Sequence, residues 1–459
     1  MLLAALLSIL QAWIPAFCQS RSGRRAVAQS LGSLLSLGRR TLSRSLWALG
    51  LQHQDWSADY KLHARARWDP NALFQPVLER AAPLCPGPFL VMALDDTRIP
   101  KTGRKIMSAF YQRDPLSPKF RFNLMWGLRF LHVSLLVPLY RSFPDASPRS
   151  LPLRFHEVPA LKKPGKKATD EQRRAYVEAV QRHNLSQHSL TVLEGLRRSA
   201  DQAALNQRLI LAVGDNSFCN RTLFRKPLDR IELLARARKD IRLCRPAAPG
   251  SRCFYDSETL TPQQVRQQES IPWHTTQIFH GAQWRTVRYK EVSLLFWRSG
   301  AARRPVRLLV VAPIPYDCGK GHRKYYRDPA FLLTTARQAS AEVLLQAYFD
   351  RWQIEVNHRE LKDTMGLGQA QLRNPRAVPR QPAMVVAAYS ALLLAGIQAF
   401  AEKRSDAFQP LPKWRRHARR PSCLDLITVL RNEIASQKDP LSPLSHSINW
   451  ENLGLSAVA

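Results

Sequence analysis

The sequence predicts an α/β fold with a helical N-terminal region. Three observations predict it: helical periodicity through residues 1–80, two short apolar runs that each end in aspartate, and an amphipathic helix around residue 350 that sets a carboxylate among cations. The chain has 459 residues, which at roughly 100–200 residues per domain leaves room for about two to four. At 45% hydrophobic it is too apolar for disorder. Its 69 Lys and Arg against 35 Asp and Glu leave a net charge of +34. A compact fold carrying that excess repels itself unless a polyanion is its partner, which argues against an enzyme of small neutral metabolites. The seven cysteines are scattered without a CxxC pair, as in a reduced, cytosolic protein.

Residues 1–17 are apolar but lack a basic start and a clean cleavage site, so no secretion signal is read there. Ala26, Leu31, Leu34, Leu35 and Leu37 share one helical face, Gly38 interrupts, and Thr41 is suited to cap a second helix with Leu42, Leu46 and Leu49. Helix, glycine turn and short helix is the pattern of a helix-turn-helix, with Arg39, Arg40 and Arg44 where phosphates or bases would be met. The same spacing also fits two helices of a bundle with solvated arginines.

From residue 86 the period shortens. Residues 89–94 form an apolar run ending in Asp95-Asp96. Residues 119–130 alternate, with Phe120, Phe122, Leu124, Trp126, Leu128 and Phe130 on one face of a half-buried strand. Residues 143–169, rich in Pro and Lys, read as an exposed loop. Helical periodicity returns at 170–204. Residues 208–214 are a second buried strand, with Asp215 at its end. Strand-like pieces separated by Pro and Gly fill 245–335, and helices resume at 338–364 and 382–402. The last of these is long enough to span a membrane but reads as a core helix buried on all sides. The tail carries a basic run at 413–420.

If the two aspartate-ended strands are neighbours, their carboxylates converge on one sheet edge and make a hard-oxygen site suited to Mg²⁺ or Mn²⁺. The helix at 338–364 offers a third acid. Its Tyr348, Arg351, Glu355 and Lys362 fall within an arc of about 60° at about 100° per residue, beside an apolar stripe of Leu345, Phe349, Trp352 and Val356. Cations a turn away from a metal-binding acid suit a phosphodiester: the metal polarises phosphate oxygens while Arg and Lys hold the backbone.

With these residues in view, the chain resembles the DDE transposases of bacterial insertion sequences. The resemblance is carried by LDDTRIPKTGRK (94–105), VGDNSF (213–218) and Tyr-x2-Arg-x3-Glu-x6-Lys from Tyr348 to Lys362. It implies a ribonuclease-H-like catalytic domain over 86–402 with a β-rich insertion at about 236–335, a helical DNA-binding region over 1–85, and a basic tail over 403–459. On that match Asp96, Asp215 and Glu355 are the catalytic, metal-holding acids; strand alternation alone leaves Asp95 open as the first. The resemblance further implies two Mg²⁺ (or Mn²⁺) ions and phosphate contacts from Tyr348, Arg351 and Lys362. Its partners would be double-stranded DNA at the element ends and target, with a dimer in the synaptic complex, no membrane, and a cytoplasmic setting. A tryptophan of the insertion, Trp284 or Trp297, could stack a flipped base or simply pack the strands. Lys101, Arg104 and Lys105 could hold DNA or form a solvated loop.

Overall fold

The computed structural model describes residues 1–114, 117–118, 120–142, 146–316, 325–401, 403–413 and 420–436. Its strands, in chain order, are β1 (Phe89–Pro100), β2 (Phe110–Arg113), β3 (Leu124–Val137), β4 (Arg149–Glu157), β5 (Leu209–Gly214) and β6 (Ile231–Arg236). Then come β7 (Leu243–Pro246), β8 (Tyr255–Leu260), β9 (His274–Phe279) and β10 (Trp284–Phe296). The last four are β11 (Pro305–Val311), β12 (Pro315–Tyr316), β13 (Tyr325–Tyr326) and β14 (Ala330–Thr334). The chain divides into two compact, interleaved units: residues 1–84, 96–183 and 354–459, and residues 85–95 and 184–353. The division falls inside β1, between its two aspartates.

The second unit holds the first half of β1 and most of the strands. Here β1 runs parallel to β5, and β5 parallel to β6, with the registers Ala93↔Val213 and Val213↔Leu234. Strands of the expected insertion extend the order as β6-β14-β11-β10-β7-β8, with β9 hairpinned on β10. Parallel strands buried on both faces explain why these segments are continuous Val, Ile and Leu runs rather than alternating ones. One face is closed by the helix Ala341–Asp350, whose Leu344 and Leu345 pack with Leu211, Val213 and Leu234. Ser340 starts that helix by accepting a hydrogen bond from the Val343 amide.

The first unit contains the N-terminal helices, the second half of β1, the antiparallel set β2-β3-β4 and the C-terminal helices. Residues 143–169 are not all loop as the composition suggests: β4 lies among them, buried through Phe155. Its Pro152 has no amide to give a ladder, and the pairing with β3 shifts register beside it, between Val133 and Ser134. Residues 170–204 form two helices, Asp170–Arg182 and Leu185–Gln202, the second capped by Asn184. A helix the sequence pattern does not announce, Cys423–Ser436, also packs in this unit.

The helix Ala377–Phe400 has the length and apolarity to cross a membrane, but 89% of its apolar window is buried inside the protein. Removing a large apolar side chain from water gains about 1.5–3 kcal/mol, so protein packing already supplies what a bilayer would. Leu2–Gln11 packs on it. Glu433 accepts hydrogen bonds from the Leu2 and Leu3 amides at 2.9 and 2.7 Å.

Candidate active site

The acids are placed by strand register. In the second unit, Ala93, Val213 and Leu234 stand level across β1, β5 and β6. The β1–β5 pairing ends at Ala93↔Val213; Asp95 lies two residues further on, in the middle of β1, Asp215 directly follows β5, and Arg236 is the last residue of β6. Side chains two apart share a face. Phe89 and Val91 of β1, with Leu211 and Val213 of β5, pack against the helix Ala341–Asp350, and Asp95 and Asp215 continue those two rows. Asp215 is fixed by a turn: its Oδ1 accepts a hydrogen bond from the Ser217 amide at 2.8 Å.

By alternation Asp95, not Asp96, shares a row with Val91 and Ala93 of β1. Asp96, on the other row of β1, belongs to the first unit, where its Oδ2 lies 2.7 Å from Arg129 Nε and its side chain is 12% exposed. A carboxylate bound to guanidinium in a half-buried site is held by that partner.

The helix geometry also departs from expectation. The α-helix ends at Asp350, residues 351–352 form a turn, and a new helix runs Gln353–Arg359 into a π-turn, Glu360–Thr364. The common arc for Tyr348, Arg351, Glu355 and Lys362 presumed one unbroken helix, and the turn after Asp350 removes that premise. Trp352 does not join the buried stripe; it is 51% exposed. Tyr348 and Arg351 do come together, lining a cleft of about 610 Å³ in the second unit with Trp352, Arg236, His280 and Arg327. Three guanidiniums against the single carboxylate of Asp328 make this cleft a receptor for anions. Burial, with Arg327 and Arg285 nearby, pushes the His280 imidazole below its usual range and keeps it neutral.

Gln346 aligns the helix that carries Tyr348. Its amide donates to Phe279 O at 2.9 Å and accepts from the Phe279 amide at 2.8 Å, a two-way clamp on the end of β9. Sequence reading missed Gln346 because a polar residue on a buried helical face has no periodic signature. Arg236, His280 and Arg327 were missed because their strands and turns meet only in three dimensions.

Glu355 and Lys362 lie in the first unit, on the helix Gln353–Arg359 and the π-turn respectively, both half-buried. Asn357 fastens this segment, donating to Ser134 Oγ at 3.3 Å and to Ser150 O at 3.0 Å. Tyr389 Oη donates to Glu360 Oε2 at 2.5 Å and lies 3.2 Å from Asn357 Oδ1. Among the described residues, no group of three or more His, Cys, Asp and Glu side chains is placed to hold a metal ion. What the strands place is Asp95 on β1 and Asp215 directly after the neighbouring β5. Their oxygen chemistry fits Mg²⁺ or Mn²⁺ and not a soft metal.

The N-terminal arginines separate. Thr41 caps the helix Leu42–Ala48 as expected, and Gly38 supplies the left-handed turn before it at φ +70°. Arg39 and Arg44 are exposed, but Arg40 is buried. Its Nη1 donates to Ser33 O at 2.6 Å and Leu34 O at 3.3 Å, closing the end of the helix Ser20–Leu35. A guanidinium bound to helix carbonyls is not available to phosphate, so Arg40 leaves the set of DNA contacts. Lys101 is likewise buried, its Nζ donating to Gly368 O and Ala370 O at 3.0 and 2.7 Å. Trp297 packs edge-on to Phe224 and is buried, whereas Trp284 is 55% exposed. Residues 414–419 of the basic tail run lie outside the described residues.

No curated protein matches the chain. Residues 168–391 match the family model described as the transposase DDE domain. Residues 168–391 are thus similar to a transposase DDE domain, and the mixed sheet with the helices that follow it is consistent with that likeness.

Proposed function

We propose that the chain is a metal-dependent, cut-and-paste DNA transposase that cleaves the phosphodiester at an element's end and joins the freed 3′ hydroxyl to target DNA. DNA is the partner the family implies, and the net charge of +34 suits it. The observation that carries the reading is the placement of Asp95 on β1 and Asp215 directly after its parallel neighbour β5, in the unit whose cationic cleft contains Tyr348 and Arg351. On this reading Asp95 and Asp215 are two of the metal-holding acids, with Glu355 the third that the resemblance assigns. Asp96 positions Arg129 instead.

These carboxylates would hold divalent ions, two in the full reading, which would supply an activated water and charge stabilisation for the leaving oxygen. The chain's own part is to hold and orient. Arg351 and Arg236 neutralise phosphate oxygens, and Tyr348 offers a hydroxyl at the cleft wall. Lys362, Arg39 and Arg44 are proposed as further phosphate contacts. Synapsis of two ends calls for a dimer on DNA.

The test is nicking of a supercoiled donor plasmid with Mg²⁺ by full-length Asp95→Asn, Asp96→Asn, Asp215→Asn and Glu355→Gln. The first, third and fourth should lose on the order of a hundredfold or more, as expected for removing a metal ligand. Asp96→Asn should retain a measurable rate. Wild-type nicking by Asp215→Asn or Glu355→Gln overturns the enzyme reading; an inactive Asp96→Asn beside an active Asp95→Asn overturns only the choice of first acid. A pre-cut end that is never joined to target identifies a nuclease without strand transfer.

A further inference from the structure

The segment leading into β3 and the start of that strand do something their alternation does not announce. Phe122 and Leu124 were expected to be buried with Leu128 and Phe130, yet they are 64% and 57% exposed while the latter two are buried. The pairs Tyr111↔Trp126 and Arg113↔Leu124 place β2 and β3 in one two-stranded ribbon. One face of it carries Tyr111, Arg113, Leu124 and Trp126, flanked by Phe122 just before β3 and by Arg104 from the preceding loop. The Arg104 guanidinium stands 5.3 Å from the Tyr111 ring and 5.6 Å from the Trp126 ring, and its Nη1 donates to Tyr111 Oη. Arg113 lies 5.5 Å from the Phe122 ring. Tyr111 is 55% exposed.

We infer that this ribbon face is a stacking platform for an unpaired DNA strand, with bases on Tyr111 and Phe122 and phosphates on Arg104 and Arg113. Interleaved rings and guanidiniums are what such strands bind: every base has a π-face, and cations beside the rings track the backbone. Charge selects this occupant over a second copy of the chain. Residues 104–126 contain Arg104, Lys105, Arg113, Lys119 and Arg121 against only Asp114, so two such faces brought together would repel.

The inference rests on DNA being the substrate, but its test omits divalent metal and reads no cleavage, so the catalytic assignment can fail while this stands. Full-length protein is titrated into fluorescein-labelled thirty-nucleotide oligo-dT and, separately, a thirty-base-pair duplex, at about 100 mM salt. Tyr111→Ala and Phe122→Ala should each weaken oligo-dT binding roughly tenfold, the loss expected for one base–aromatic stack. Duplex binding should change less than about twofold, and Phe122→Tyr should keep wild-type affinity because it retains the ring. Wild-type protein that does not bind oligo-dT overturns the inference, as do alanine variants that bind it normally. If those variants instead sediment as smaller species with unchanged DNA binding, the face joins copies of the chain.

Discussion

Arg40→Ala should cost stability rather than DNA affinity. Arg40 is 8% exposed, and its Nη1 reaches two carbonyls at the end of the helix Ser20–Leu35. A hydrogen bond from a charged donor contributes about 1.5–3 kcal/mol, and the 3.3 Å contact adds little beyond the 2.6 Å one. Repulsion from Arg431, which with burial holds the Arg40 pKa below its usual range, returns part of that on deletion. The net loss is therefore about 2 kcal/mol, which at about 2–4 °C per kcal/mol lowers the melting temperature by about 4–8 °C. Thermal melting by circular dichroism measures this, beside duplex binding across a salt series. Arg44→Ala, at an exposed position, is the control: melting unchanged, affinity lowered, and the salt slope reduced by about one. An Arg40→Ala protein that melts within about 1 °C of wild type yet binds DNA more weakly would refute the assignment.

Glu157 is held by burial at a pKa of about 7 against an ordinary 4.5, and its Oε1 has no hydrogen-bond partner. The folded protein thus keeps a proton there that the unfolded chain gives up, so this contribution is full below pH 4.5 and is lost as pH rises to about 7. Glu157→Gln should raise the melting temperature at pH 8 and flatten its fall across that window; an unchanged pH profile would contradict it. Lys101→Met leaves Gly368 O and Ala370 O without their donor and should lower melting by several degrees at pH 7, read by calorimetry. Gly127→Ala puts a Cβ 2.3 Å from Ile99 O, and since backbone must move to admit it, expression of soluble protein should drop sharply. Duplex affinity of the wild type should fall steeply and log-linearly with salt; a flat dependence would argue against phosphate contacts.

The strands that place the acids were legible because burial on both faces writes itself as an unbroken apolar run: residues 89–94 and 208–214 needed nothing else. Choosing between Asp95 and Asp96 required register, which one strand cannot specify alone. The broken helix was hidden because Arg351 and Trp352 are compatible with continued helix, and only the fold interrupts it there. Arg40 looked like Arg39 and Arg44, since sequence cannot tell an arginine turned onto carbonyls from one turned to solvent. Strand β4 was masked by its proline, whose usual meaning is undone by a register shift. Alternation announced a strand from 119, but β3 begins only at Leu124, and alternation did not say which way that end of it faces.

The first helices are finished by residues far along the sequence. Arg431 Nη2 donates to Ser36 O across 395 positions, and Glu433 receives the amides of Leu2 and Leu3. During synthesis the apolar helix Leu2–Gln11 must therefore wait, without these partners, until the segment around residue 430 has been made. A product stopped before residue 423 would lack those partners, so such shortened forms should be poor competitors for DNA and ready targets for proteolysis.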